Sequence, residues 1–178
     1  MIARARDLLN RLTQLRHAML VEANGLSAEE LLHRPGAGAW SILDVIEHLV
    51  RVEEAILSRV RKRDPRTWGE AARARVRLAL VSILFVCRGR LRVPTQAVVP
   101  LGGVTLTDLA ARWETSQDAM RRTLDGFGPA DYSRPLMRHP ILGLLTPVET
   151  LTFLVRHIAH HRRQVARIRS SRYSAGGR

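Results

Sequence analysis

The sequence is poor in several residue types, and each shortage excludes a class of protein. Its one cysteine, Cys87, excludes a disulfide framework and a thiolate metal site, and it favours a reducing compartment. The longest apolar run, 78–87, is about half the length needed to cross a bilayer. Residues 1–20 lack an apolar core followed by a cleavage site, so they do not predict a signal peptide. We therefore expect a cytoplasmic protein with no membrane partner.

Aromatic residues are also scarce, at 4% of the chain, although the formal net charge is +13. A charge of this size is typical of proteins that bind nucleic acid or another anionic surface. Binders of single-stranded nucleic acid place aromatic side chains among their basic ones. Here the arginines are scattered along the whole chain, and Lys62 is the only lysine. We interpret the charge as an arginine-biased composition and expect no specific nucleic-acid partner.

Apolar residues, by contrast, are abundant, and their spacing predicts helices. Apolar residues recur at spacings of three and four, as they do on one face of a helix. The pattern covers four long segments: 2–22, a segment that begins at Ser41, 108–124 and 146–169. The last segment opens with a capping box, since Thr146 is followed by Pro147 and then by Glu149.

The sequence also predicts the caps of these helices and the surroundings of a few charged residues. Ser41 and Thr107 are predicted to cap the second and third long helices, and Ser27 with Glu30 to cap a short turn. Arg4, Arg11 and Arg16 should face water on the first helix. Glu53 falls near the middle of an apolar face, so it must be paired or hydrogen-bonded if it is buried.

The connections predict the architecture. Residues 71–90 are predicted to be helical rather than a strand, because alanine and arginine dominate their first half. Residues 92–104 should form an extended crossover and residues 126–143 a loop, with no sheet of three or more strands. We predict an all-α four-helix bundle with a long crossover that has room for one extra helix. The bundle should be a single domain over 1–170, followed by a flexible basic tail at 171–178.

Histidines on the last helix suggest a metal site. His157 and His161 are four residues apart at the edge of the apolar face, and two such imidazoles can bind one metal ion. His160 points further round, towards solvent. Metal sites in bundles are built from facing helices, so His48, on the edge of the second helix's apolar face, is the natural third ligand. The alternative is that all of these are core-edge or surface histidines without a metal.

Two familiar metal patterns are excluded. A zincin needs a glutamate directly after its first histidine, and here Ile158 occupies that place. A di-iron bundle needs two Glu-x-x-His pairs, and the only such spacing is Glu30 to His33, in a loop rich in proline and glycine. A mononuclear three-histidine site needs neither of these glutamate patterns. It also leaves a coordination position open, as catalytic sites do.

Two segments, 39–57 (AWSILDVIEHLVRVEEAIL) and 139–164 (HPILGLLTPVETLTFLVRHIAHHRRQ), resemble the DinB/YfiT-like superfamily. The resemblance runs over about 8–168, and its most specific parts are the block from Trp40 to His48 and the final His-x-x-His-His-x-x-Gln block. It implies a four-helix bundle with a long crossover, often dimeric. It also implies a divalent metal on three histidines, carried by motif onto His48, His157 and His161.

Members of that superfamily include thiol-dependent S-transferases and isomerases and proteins described as metal-dependent hydrolases. We expect a metal-dependent S-transferase that holds zinc or nickel, since imidazole suits both ions, and that acts on a small-molecule substrate with a low-molecular-weight thiol. The alternatives are a metal-dependent hydrolase and a non-enzymatic basic binding or stress-response module. Gln164, His160 and Glu53 are the candidate supporting residues around the metal, with Gln164 expected to orient bound water or substrate. A homodimer is expected.

Overall fold

Helices account for most of the residues that the computed structural model describes, which are 1–61, 64–86 and 96–175. Each helix is labelled in chain order: α1 Ala3–Asn24, α2 Ala28–Leu32, α3 Ile42–Leu57, α4 Trp68–Val86, α5 Leu106–Asp125 and α6 Pro147–Ala175. Short 3₁₀ helices lie at Gln96–Val98 and Pro129–Ser133. Two strands, β1 Met137–His139 and β2 Gly143–Leu145, pair antiparallel with Met137 opposite Leu145.

The four long helices α1, α3, α5 and α6 form the bundle that the apolar periodicity predicts. α1 packs against α5 and α6, and α3 packs against the same two helices. Their apolar faces meet in one core, which includes Leu12, Ile46, Trp113, Met120 and Ile158. α4 is the extra helix in the crossover: it packs against α6 and the hairpin strand β2 and adds Ala74, Leu78 and Val81 to the same core. The all-α fold class is confirmed.

Helix starts follow the capping chemistry of the sequence, with one correction. Ser41 and Ser27 each cap a helix in a capping box, as predicted. The cap of α5 is Thr105, whose hydroxyl accepts from the backbone N–H of Asp108 at 3.1 Å, so the prediction of Thr107 is wrong. Thr105 has an acidic residue three positions on, which returns a hydrogen bond to the cap, whereas Thr107 has Ala110 at that position.

The connections are more structured than predicted. α4 is helical over Trp68–Val86, which confirms helix over strand there, and residues 87–90 of the predicted segment lie outside the described residues. The prediction of a plain loop at 126–143 is wrong, because it contains a 3₁₀ turn and most of the hairpin. In the described ranges the sheet has only two strands, as expected.

Arg16 does not face water, contrary to the sequence prediction. It is 2% exposed, and its guanidinium donates from Nε to Glu53 Oε1 at 3.0 Å and from Nη2 to Glu53 Oε2. Trp113 Nε1 donates to the same carboxylate at 2.8 Å, so Glu53 has the partners that its buried position requires. Burial lowers the pKa of Arg16 to about 9, which leaves it charged at neutral pH. The pair therefore joins α1 to α3 inside the core.

The C-terminal segment is helical for longer than the sequence analysis predicts. α6 continues to Ala175, so residues 171–175 of the predicted tail belong to the helix. The first strong helix breaker after Pro147 is Gly176, beyond the described residues. In the part of the chain that the structure describes, no helix is long and apolar enough to span a membrane.

Candidate metal centre

Three buried histidines meet between α3 and α6. His48 is 5% exposed, and His157 and His161 are 7% exposed each. One ligand nitrogen from each lies within 4.8 Å of the other two. The Nε2 atom of His157 is 3.4 Å from that of His48 and 3.0 Å from that of His161. The three imidazoles that the sequence analysis singled out are therefore in one cluster.

Local structure places each ring. The capping boxes at Ser41 and Thr146 set where α3 and α6 begin, and the four-residue spacing puts His157 and His161 on one face of α6. Trp40 packs on the His48 ring with centroids 4.9 Å apart. Phe153, one turn before His157, stacks on that ring at 5.2 Å and an angle of 16°. These aromatic neighbours limit the rotation of the two imidazoles.

Hydrogen bonds fix the tautomer of two of the rings. His48 Nδ1 is 2.7 Å from the backbone oxygen of Val98, and His161 Nδ1 is 2.8 Å from Gln164 Oε1. Both oxygens can only accept, so each Nδ1 carries the hydrogen and each neutral ring keeps its lone pair on Nε2. The contact of a ring N–H with an oxygen acceptor is the usual support of a metal-ligating histidine.

Burial keeps these imidazoles neutral. It lowers the pKa of His161 to about 3 and lowers the pKa of His48, and it holds the pKa of His157 well below its ordinary value. Nearby histidines lower the pKa of His157 and His161 further. At neutral pH the lone pairs on the Nε2 atoms of His48 and His161 therefore both point to His157 Nε2, which can donate a hydrogen to only one of them. A shared cation would satisfy all three nitrogens.

The distances agree with that chemistry. Ligand nitrogens about 2.0–2.1 Å from a zinc ion are about 3.4 Å apart at a tetrahedral angle and about 2.9 Å apart at a right angle. Two of the three separations, 3.4 Å from His48 to His157 and 3.0 Å from His157 to His161, match these values, and all three ligand atoms lie within 4.8 Å of one another. The donor set of this cluster therefore fits one transition-metal ion.

Comparison with known proteins supplies the family. A family model described as the DinB superfamily matches residues 11–165. The chain belongs to the DinB superfamily. Among curated proteins and among solved structures, none matches the chain. The superfamily match extends from α1 into α6, so it contains all three clustered histidines of this DinB-superfamily protein.

The three residues predicted to support the metal site, Gln164, His160 and Glu53, differ in their contacts with the histidine cluster. Gln164 Oε1 is 2.8 Å from His161 Nδ1, a contact that orients this ring; its contact with bound water or substrate stays a prediction. His160 is half-buried with its ring 5.1 Å from that of His161, and it is outside the three-residue group. Glu53 accepts from Arg16 and Trp113, so its described hydrogen bonds join α3 to α1 and α5.

The remaining histidines divide as follows. His17 is exposed, and His33 is half-buried at the end of α2. His139 is half-buried in β1, with the centroid of its ring 4.8 Å from that of Phe153. The contact of the Val98 carbonyl with His48 could not be predicted, because a backbone carbonyl leaves no mark in a sequence.

Proposed function

We propose that this DinB-superfamily chain binds one divalent metal ion through His48, His157 and His161 and is a metal-dependent enzyme of the thiol S-transferase type. The observation that carries the proposal is the convergence of three buried imidazoles, with His157 Nε2 at the spacing of metal ligands from both His48 Nε2 and His161 Nε2. Three protein ligands leave room for a substrate atom, as in catalytic sites. Zinc and nickel are the ions proposed, because imidazole suits both.

The residues around the cluster prepare it for this chemistry. A bound divalent metal would supply the positive charge that lowers the pKa of a low-molecular-weight thiol. The thiol sulfur would form a bond to an electrophilic carbon, whose leaving group departs with the bonding electrons, while the thiol proton passes to solvent. Val98 and Gln164 hold two imidazoles in the ligand tautomer. Trp40 packs against the ring of His48, and Phe153 stacks on the ring of His157.

Metal-dependent hydrolysis is the weaker candidate because it needs a general base near the reacting water. Glu53 accepts hydrogen bonds from Arg16 and Trp113. Glu47, the neighbour of His48, accepts from the backbone N–H groups of Leu101 and Gly102. Both buried glutamates of α3 are therefore engaged elsewhere, which leaves His160 as the candidate base. A homodimer and a small-molecule substrate remain part of the proposal.

Metal content is the first test. We expect about one zinc or nickel ion per chain in protein purified without a histidine tag, and loss of the ion in His48→Ala, His157→Ala and His161→Ala, because two neutral ligands hold a metal poorly against water. His160→Ala is the matched control on the same helix, and it should keep most of the metal. Equal loss in His160→Ala and His157→Ala would contradict the ligand assignment.

Activity tests the reaction separately. Metal-loaded protein is mixed with a panel of low-molecular-weight thiols and a chromogenic aryl halide, and release of the halide is followed. We expect metal-dependent turnover in the wild type and a fall to the uncatalysed rate in His157→Ala. Turnover of a chromogenic ester with the same metal dependence, and none with any thiol, would favour the hydrolase.

A further inference from the structure

The described part of the crossover after α4, residues 96–104, is bound to α3 beside the histidine cluster. Three α3 side chains reach it. Glu47 accepts from the backbone N–H groups of Leu101 and Gly102, each at 3.0 Å. Arg51 donates from Nε and Nη2 to the carbonyl of Ala97 at 3.2 and 3.0 Å. His48, which lies between Glu47 and Arg51 in sequence, donates to the next carbonyl, that of Val98.

The Glu47 carboxylate is the centre of this arrangement. It is 2% exposed, and a buried charge is costly unless it is paired and hydrogen-bonded. Each carboxylate oxygen receives one backbone N–H, and Arg51 Nη1 is 3.6 Å from Oε1. Gly102 has φ +75°, a conformation that L side chains rarely adopt. The backbone is therefore tied to α3 on both sides of Val98, at Ala97 and at Leu101 and Gly102.

The fixed backbone determines where the Val98 carbonyl lies. A histidine ring can turn about its side-chain bonds, and its hydrogen-bond partner is what selects one orientation and one tautomer. Val98 O is 2.7 Å from His48 Nδ1, so its position sets the direction of the His48 Nε2 lone pair. A shift of the crossover would move that lone pair away from His157 and His161.

We propose that Glu47 is a positioning residue for the metal ligand His48 and acts through the crossover backbone and the Val98 carbonyl. The proposal rests on the proposed metal site. Among the described residues the ligand group consists of His48, His157 and His161, and Glu47 is outside it, with each of its oxygens accepting a backbone N–H from Leu101 or Gly102. Its contribution is to hold the partner that orients the ligand, and outer contacts of this kind are worth about 10- to 100-fold in metal affinity.

The test compares two glutamates of the same helix. Glu47→Gln keeps the size of the side chain but places an amide NH₂ where one oxygen now accepts a backbone N–H. Glu54→Gln is the matched control, since Glu54 is partly exposed and pairs with Arg112 on α5 instead of with the crossover. Zn²⁺ affinity is measured by competition with a chromogenic chelator, and the visible spectrum of the Co²⁺-loaded protein reports ligand geometry.

We expect Glu47→Gln to bind Zn²⁺ about 10- to 100-fold more weakly and to change the Co²⁺ spectrum, with Glu54→Gln like the wild type. Wild-type affinity and an unchanged spectrum in folded Glu47→Gln would overturn the proposal. If Glu47→Gln does not fold, Gly102→Ala replaces it, because its added Cβ meets open space and only strains the backbone; wild-type affinity and spectrum there would overturn the proposal equally. A wild-type protein that binds no metal would instead refute the proposed function.

Discussion

A single residue, His139, makes the stability of the hairpin depend on pH. Its Nδ1 accepts from the backbone N–H groups of Ile141 and Leu142, each at 3.1 Å, so a proton added to Nδ1 would break both bonds. Burial, together with the charge of Arg59, lowers the pKa of His139 to about 4. The unfolded chain has the ordinary histidine pKa of about 6.5. The neutral ring therefore stabilises the fold above about pH 6.5, and that contribution is lost as the pH falls towards 4.

We expect the free energy of unfolding of the metal-free protein to decrease from pH 6.5 to 4, by up to about 1.4 kcal/mol per pH unit for each such histidine. His139→Asn should reduce this slope, because the asparagine oxygen can accept the same two hydrogen bonds but does not titrate. Urea unfolding at a series of pH values measures it. His17→Asn, at an exposed position, serves as the control, and an equal slope in His139→Asn and the wild type would contradict the role of His139.

At the residue scale, the sequence predicts positions on a helix better than partners across helices. The directions of His157 and His161 follow from their spacing on one helix. The prediction that Arg16 faces water failed because its partner, Glu53, is 37 residues away in sequence. The periodicity of α1 carries no information about a carboxylate on α3. The need of Glu53 for a partner was predictable, since it falls on an apolar face, but the identity of that partner was not.

At the scale of elements, the start of α5 provides a direct test of capping. Thr105→Ala should lower the free energy of unfolding by about 1 kcal/mol, because it leaves the N–H of Asp108 without its cap acceptor. Thr107→Ala is the matched control, two residues further on and exposed. It should have little effect. Chemical unfolding of both variants measures the difference, and a larger loss in Thr107→Ala would contradict the observed cap.

The long helices were predictable as elements because each repeats its apolar pattern over several turns. The hairpin was not, since its strands Met137–His139 and Gly143–Leu145 have three residues each, too few to show an alternating pattern. Cap choice failed at α5 for a different reason: two threonines stand close together, and only the position of Asp108 distinguishes them. The crossover contacts with His48 depend on backbone conformation, which the sequence indicates only through Gly102 and Gly103.

At the scale of the whole molecule, the net charge of +13 is an excess of arginine, and part of that arginine has structural partners. Several of them join separate parts of the fold through carboxylates. These pairs include Arg16–Glu53, Arg34–Asp44, Arg66–Glu149, Arg112–Glu54 and Arg162–Glu22. Arginines that pair with carboxylates inside the fold favour the interpretation of an arginine-biased composition over that of a surface that binds phosphates.

We therefore expect DNA binding to be weak and independent of sequence. Contacts of scattered arginines with phosphates act through counterion release, so affinity should decrease steeply between low and physiological salt. Fluorescence anisotropy with two unrelated duplexes at increasing salt measures this, and metal-loaded and metal-free protein should behave alike. A sequence-specific complex that persists at physiological salt would favour the non-enzymatic binding module over the enzyme.

The histidine cluster joins parts of the chain that are far apart in sequence, since His48 and His157 are separated by 109 residues. An ion held by both would act as a cross-link that closes this loop. In the chain-entropy description, closing a loop of about 100 residues removes about 4 to 5 kcal/mol of conformational freedom from the unfolded chain. Binding to the folded state alone adds to its stability. A chain with one cysteine cannot form an internal disulfide. Here a bound ion would cross-link α3 to α6 instead, and a chelator would reverse the cross-link.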